Sequence, residues 1–265
     1  MKLDKKNLKK IKGDASFRVF YRKKNDKKNS IIVYSRKEKE KNLLIYDAIN
    51  SLLIENKILA PKLYKENYKI PVYEDNELFK EAKLFSDWYA KKYTSKKKLP
   101  KLNIEINKQI KFLLSNLRLK NDTFVHRDFH VSNLMKYKNE LATIDTQDAL
   151  IGNRAYDLAS LIDDVRFKSN KKLKDNIYDY YLKVNKNKIN KVILLNDFKI
   201  LSVIRNMKII GIFTRLAERD KKLKYLKLIP YAWKLIELRL KNDEIFVNLK
   251  KLLDQNFPRK LRSLK

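Results

Sequence analysis

Apolar and polar positions along the chain change period several times, and those changes divide it. Phe17-Arg-Val-Phe-Tyr-Arg22 alternates in part, and Ser30-Ile-Ile-Val-Tyr34 is a short apolar run. With a lysine-rich turn between them they read as a strand pair. From 37 to 56 the spacing becomes helical, with Ile45, Ala48, Ile49, Leu52 and Leu53 on one face. Pro61 ends that region, Lys62-Leu-Tyr64 reads as a further short strand, and 65–76, with Pro71, reads as a connection. Helical spacing returns from Glu77 to Tyr93 (Leu78, Ala82, Phe85, Tyr89), with Trp88 read as packing, and from Ile104 to Leu119 (Ile106, Ile110, Leu113, Leu117).

The middle of the chain is different. Thr123-Phe-Val125 is a brief strand leading into His126. Asn133-Leu-Met135 and Leu141 to Ile144 read as two short strands joined at Lys138-Asn139, and Asp157 to Val165 opens a helix. The rest is helical: Ile177 to Val184, Ile193 to Glu218, Pro230 to Leu240, where proline suits a first turn, and Glu244 to Leu253. Strands with one helix, then helices around a small hairpin, make an α+β chain with no internal repeat.

A length of 265 residues at 44% hydrophobic is enough for one large domain or two small lobes. No apolar run approaches the ~18 residues of a membrane span. The basic start, MKLDKKNLKKIKGD, has no apolar stretch of the secretory kind. Cysteine is absent, which excludes disulfides, zinc–thiolate sites and cysteine nucleophiles and fits a reducing, cytoplasmic setting.

The formal charge of +32 invites a nucleic-acid partner. Its lysines are spread along the whole chain, however, and the abundant Lys, Asn, Ile and Tyr all have A/T-rich codons. With no reader motif beside it, the charge reads as a solvated surface. Neither a GxxxxGK[ST] loop nor a GxGxxG fingerprint occurs, which excludes the P-loop and Rossmann classes. The turn at Gly13 to Ser16 can present backbone N–H groups to a phosphate, as many hairpins can.

Against this basic background, His126 to Asp164 carries seven acids and four bases, and it holds both histidines of the chain. His126-Arg127-Asp128-Phe-His-Val-Ser-Asn133 fits H-R-D-x-x-x-x-N. In that pattern Asp128 accepts a hydroxyl proton and Asn133 turns back to a magnesium ion. Asp145 follows an apolar strand 17 residues after Asp128 and supplies a second metal oxygen. An all-oxygen donor set favours Mg²⁺ over zinc. The two histidines lack the glutamate of an HExxH zinc pair, so His126 reads as a brace of the loop, and His130 as structural or near a substrate. Asp157 could be a helix cap, and Asp148, Asp163 and Asp164 could be surface acids.

The chain lacks the glycine-rich loop, VAIK, DFG and APE of eukaryotic-type protein kinases. It resembles the aminoglycoside phosphotransferase/choline kinase-like superfamily. Within that group it is most similar to the bacterial kinases acting on the anomeric hydroxyl of N-acetylmuramate and N-acetylglucosamine. The resemblance rests on Gly13-Asp-Ala-Ser-Phe-Arg18, Leu84-Phe-Ser-Asp-Trp-Tyr89, VHRDFHVSNLM, IDTQDALIG, Tyr156-Asp-Leu-Ala-Ser-Leu161 and Lys208-Ile-Ile-Gly-Ile-Phe-Thr-Arg-Leu216 with Arg219, Asp220 and Tyr225.

The resemblance implies a protein-kinase-like, two-lobed α+β fold: an N-lobe over 1–64, a connection over 65–76 and a helical C-lobe over 77–265. It implies ATP and Mg²⁺ as cofactors and a sugar as substrate, with Asp128 as base and Asn133 and Asp145 as metal ligands. Asp14, Ala15, Ser16 and Phe17 lie over the nucleotide phosphates, with Arg36 (or Lys37) as their basic partner. Asp157 braces the catalytic loop. His130, Asp148, Arg215, Arg219 and Asp220 fall on the substrate side; Arg215 and Arg219 also fit an i, i+4 pair on a solvated helix face. The sequence departs from the family at 65–76, which is too short for a strand, an adenine-binding hinge and a linker helix. That gap keeps a non-catalytic kinase-like binding protein open as an alternative, beside an aminoglycoside- or choline-type kinase.

Overall fold

The computed structural model describes residues 8–11, 19–23, 31–34, 49–60, 70–137, 139–185 and 189–263. The chain divides into two compact units, Met1–Ile70 with Thr146–Asp148, and Pro71–Asp145 with Ala149–Lys265.

The first unit holds an antiparallel sheet of β1 (Leu8–Ile11), β2 (Val19–Lys23) and β3 (Ile31–Tyr34), in that order. The central β2 pairs Phe20 with Ile11 of β1 on one side and with Val33 of β3 on the other. The expected strand pair is thus three strands. β1 escaped the pattern because the lysines at its centre are exposed and leave only Leu8 and Ile11 to signal it. Helix α1 (49–55) buries Ile49 and Leu53, one turn apart. Its buried Asn50 accepts a hydrogen bond from the Thr146 hydroxyl at 2.8 Å. The strand expected at 62–64 lies outside the described residues.

The second unit is mainly helical. The single helix expected from Glu77 to Tyr93 is three pieces: α2 (Asp75–Ala82), a π-helical segment (Phe85–Ala90) and α3 (Lys91–Tyr93). α4 (Leu99–Leu114), α5 (Ala155–Ile162), α6 (Lys171–Val184), α7 (Lys191–Glu218), α8 (Ile229–Leu240), α9 (Val247–Asn256) and α10 (Arg259–Arg262) follow. Asn170 and Asn190 cap α6 and α7 by accepting backbone N–H groups at 2.9 Å.

α7 is buried on almost every side, as a helix threaded through a core must be. It packs on the π-helical segment, α5 and α8. Gly211 sets the closest approach: a Cβ there would lie 2.3 Å from the Leu84 carbonyl carbon. The wide-turn segment begins where α7 crosses. Beyond it, Phe85, Tyr89, Trp233 and Phe257 stack with centroids 5.2–5.8 Å apart. Trp233 also donates to the Tyr89 hydroxyl at 3.0 Å, while Trp88 is only partly buried.

Two small sheets complete the unit. β5 (Leu134–Tyr137) and β6 (Glu140–Thr143) form the expected hairpin. β4 (Asn121–Val125) pairs antiparallel with β7 (Leu150–Asn153), a strand the pattern did not announce. Part of the expected connection is strand-like as well. Tyr73 N–H donates to Ile151 C=O at 2.7 Å, and Ile151 N–H donates to Pro71 C=O at 2.8 Å. Gly152 permits this approach, since a Cβ there would meet the Tyr73 Cβ at 3.0 Å.

Candidate active site

β4 delivers the chain to His126, and the loop after it is held from two directions. From one side Asp157, in the first turn of α5, accepts the His126 N–H at 2.6 Å and the Arg127 N–H at 3.1 Å. Burial pushes the Asp157 carboxyl up to about 6, with the two amides opposing it. From the other side, the His126 ring is buried and donates through Nε2 to Ile144 C=O at 3.0 Å.

Ile144 is also the hub for the remaining groups. The β5–β6 ladder pairs Leu134 with Thr143, and one step further Ile144 N–H donates to Asn133 C=O at 3.0 Å. The Asn133 side chain donates to Asp128 C=O at 2.9 Å, which turns its own amide oxygen away from that carbonyl. Asp145 then leaves β6 with a left-handed φ of 64° and an exposed side chain. Asp128 and Asn133 are therefore tied through one side-chain bond, and Asn133 to the residue before Asp145 through one backbone bond. Arg127, at φ 71°, is also left-handed. Non-glycine residues hold that conformation at a cost of ~1–3 kcal/mol each, and only where the surroundings enforce it.

The electrostatics around Asp128 are those of a carboxylate kept ionised. Burial alone raises its pKa, but Lys208, then Arg205, His130 and Arg127, overcome that and hold it below the ordinary range. His130 is buried, with Nδ1 unpartnered. Burial, helped by Arg166, drops its pKa to about 4, against the pull of Asp164 and Asp128. Arg205 is buried on α7. The buried Asp164 accepts the Val131 N–H at 3.3 Å and so supports the loop from beneath.

The other expected site residues are carried by other segments of the chain. Asp148 is exposed and belongs with Thr146 to the first unit. Arg219 forms a forked pair with Asp220 at 2.7 and 3.0 Å on the surface. Arg215 is partly buried on α7, about 10 Å beyond Lys208 by helical rise. Among the described residues no hydrogen bond or ion pair joins Arg215, Arg219 or Asp220 to Asp128. Asp14, Ala15, Ser16, Phe17 and Arg36 lie outside the described residues.

Residues 65–188 match the model of the Phosphotransferase enzyme family, APH. That match spans 124 of the 265 residues, a little under half of the chain. The chain is 31% identical over 166 residues to an N-acetylmuramate/N-acetylglucosamine kinase of Neisseria meningitidis serogroup B, covering 61% of this chain and 50% of that protein. To the kinase of the same name from Pseudomonas aeruginosa it is 30% identical over 198 residues, covering 69% and 56%. The chain thus spans about half the length of the curated relatives it matches.

Among solved structures, amicoumacin kinase hAmiN superposes with a TM-score of 0.58 at 13% identity, covering 89% of each chain. A choline kinase from Cryptosporidium parvum gives 0.52 at 13% identity, covering 98% of this chain and 94% of that one. These likenesses carry the fold, an α+β protein-kinase-like architecture. Among the described residues no helix is long and apolar enough to cross a membrane.

A second layer of residues, which the motif does not signal, lies behind this loop. Lys208 Nζ lies 2.9 Å from a carboxyl oxygen of Glu81, and Arg127 Nη2 and the Tyr73 hydroxyl also donate to Glu81. Lys208 further donates to the Tyr156 hydroxyl at 3.3 Å. Burial alone raises Glu81, yet Lys208 and Arg127 hold it below the ordinary carboxylate range. One signal was available: Arg205 and Lys208 are charged positions inside the apolar run Leu201 to Phe213.

Proposed function

We propose that this chain transfers the γ-phosphoryl group of ATP, with Mg²⁺, to a sugar hydroxyl, and that the acceptor is C1 of an N-acetylated amino sugar. The observation that carries this is the tie of Asn133 to Asp128 through its side chain and to Ile144, the residue before Asp145, through its backbone. The relatives named N-acetylmuramate/N-acetylglucosamine kinases support the sugar class. A fold neighbour solved with AMP-PNP and Ca²⁺ supports a nucleotide held with a divalent cation.

The donor chemistry fits Mg²⁺: a carboxylate on Asp145, exposed at the end of β6, and the Asn133 amide oxygen, the remaining positions being left to phosphates and water. Bound there, Mg²⁺ and ATP would supply charge neutralisation and the phosphoryl group. The chain's own work is positioning. Asp128 takes the acceptor hydroxyl's proton onto its carboxylate, which Lys208 and Arg205 keep ionised and ready. His126 and Asp157 hold the loop that carries it. By the family resemblance, Asp14 to Phe17 would contact the nucleotide phosphates, with Arg36 as their basic partner. His130, Asp148, Arg215, Arg219 and Asp220 serve the acceptor side. ATP as donor puts the reaction in the cytoplasm.

The test is mass spectrometry of products from a sugar panel with ATP and MgCl₂. N-acetylglucosamine and N-acetylmuramate are expected to gain one phosphate, and EDTA to abolish turnover until Mg²⁺ is restored. Asp128→Asn is expected to lower kcat by about 10²–10⁴-fold while calorimetry still detects sugar binding. Unchanged turnover in that variant, or a phosphate appearing only on choline or an aminoglycoside, would sink the assignment.

A further inference from the structure

Arg127 sits between two carboxylates. Its backbone N–H goes to Asp157 and its guanidinium to Glu81, and its own left-handed φ of 71° sets the direction in which the next residue leaves. Glu81 comes from the last turn of α2, and Lys208 from the centre of α7. Their side chains are 15% and 13% exposed, so this pair is formed away from water, where an ion pair keeps its strength. The Tyr73 ring lies under the Arg127 guanidinium at 5.0 Å and meets the Tyr156 ring edge-on at 5.2 Å, closing the sides of the cluster.

The cluster bears on Asp128 through the chain itself: Arg127 is its neighbour, held at the side chain by Glu81 and at the main chain by Asp157.

We infer that Glu81 and Lys208 are positioning residues for Asp128: their ion pair fixes the Arg127 side chain while Asp157 fixes its backbone, and the residue that follows Arg127 is held in place by both. Neither residue needs to touch substrate. The assignment rests on the kinase reading above for its kinetic consequence, though not for the effect on the loop.

Two measurements test it. The first is steady-state kinetics with ATP, Mg²⁺ and N-acetylglucosamine. Lys208→Met is expected to lower kcat about 10- to 100-fold. The sugar KM is expected to stay within about threefold, the signature of a transition-state rather than a ground-state loss. Lys208→Arg, which keeps the charge, is expected to recover most of the rate. A kcat within about twofold of wild type in Lys208→Met, or no recovery in Lys208→Arg, overturns the assignment.

The second is hydrogen exchange of the His126 to Asp128 amides in Glu81→Gln without ligand. That substitution keeps the shape and removes the charge. Exchange about tenfold faster than wild type, at an unchanged rate in the core of α7, is expected; unchanged loop exchange overturns the positioning role. This arm decides alone if Lys208→Met does not fold. If the wild-type chain phosphorylates no sugar, the kinase reading fails, and the exchange result still stands for or against the clamp.

Discussion

Asp163 and Glu81 are both sequestered carboxylates that accept from two cations and one hydroxyl, yet they sit in different neighbourhoods. Asp163 takes Lys174 at 2.8 Å, Arg239 at 2.8 and 3.0 Å and the Ser202 hydroxyl at 2.5 Å. Its cations end in packing: Arg239 lies 4.7 Å over the Phe198 ring, and Lys174 also donates to Ile162 C=O. Glu81 takes Lys208, Arg127 and the Tyr73 hydroxyl, and its cations continue toward Asp128. The same ligation thus joins α5, α6, α7 and α8 in one place and holds the Arg127–Asp128 loop in the other. What distinguishes them is the next group along, which no feature of the carboxylate itself reveals.

The largest expected effect separates the two directly. Asp163→Ala leaves Lys174 and Arg239 buried without their counter-charge and should cost about 3–5 kcal/mol in denaturant unfolding. The folded fraction should keep its kcat. A substantial fall in kcat per folded molecule would erase the distinction.

Next come the two hydroxyls. Ser202→Ala and Tyr73→Phe each remove a hydrogen bond to a carboxylate, worth roughly 1.5–3 kcal/mol. Both should lower stability, but only Tyr73→Phe should lower kcat.

The smallest effect is a pH dependence. His130 titrates near 4 when folded against an ordinary 6.5, so the unfolded chain binds more protons between those values. Its contribution to stability is full above 6.5 and is lost as pH falls toward 4. His130→Gln should therefore flatten the acid side of a thermal-melting profile in that window. Asp157, raised to about 6, works in the opposite sense: its contribution is full at low pH and is lost as pH rises through 6. The net slope in wild type should accordingly be shallow, and Asp157→Asn should steepen it.

The parts of the site legible in the sequence are those built from near neighbours. Asp128 and Asn133 lie in one loop, and Asp145 follows a hairpin short enough to be read as two runs around a turn. The Glu81 cluster was not legible, because Tyr73, Glu81, Arg127, Tyr156 and Lys208 come from five separate segments and meet only after α7 has been threaded through the core. β7 was missed for a related reason. Leu150 to Asn153 is too short to show alternation, and its partners, Val125 on one side and Tyr73 on the other, are distant in sequence. α8 was read closely because it repeats a buried face over several turns, whereas α4 starts five residues before its expected Ile104, within the lysine- and proline-containing stretch that reads as a loop. The break at Phe85 is not announced by its own residues; it falls where Gly211 of α7 meets the main chain.

That glycine has a mechanical consequence. α7 rests directly on the main chain at Leu84 to Phe85, with no side chain between to act as a spring. Lys208 stands one turn before this bearing point, and Glu81 a few residues before the segment it bears on. The two halves of the ion pair are therefore indexed to a single backbone-to-backbone seat. A methyl group at 211 would act as a shim, lifting one member of the pair away from the other without altering either.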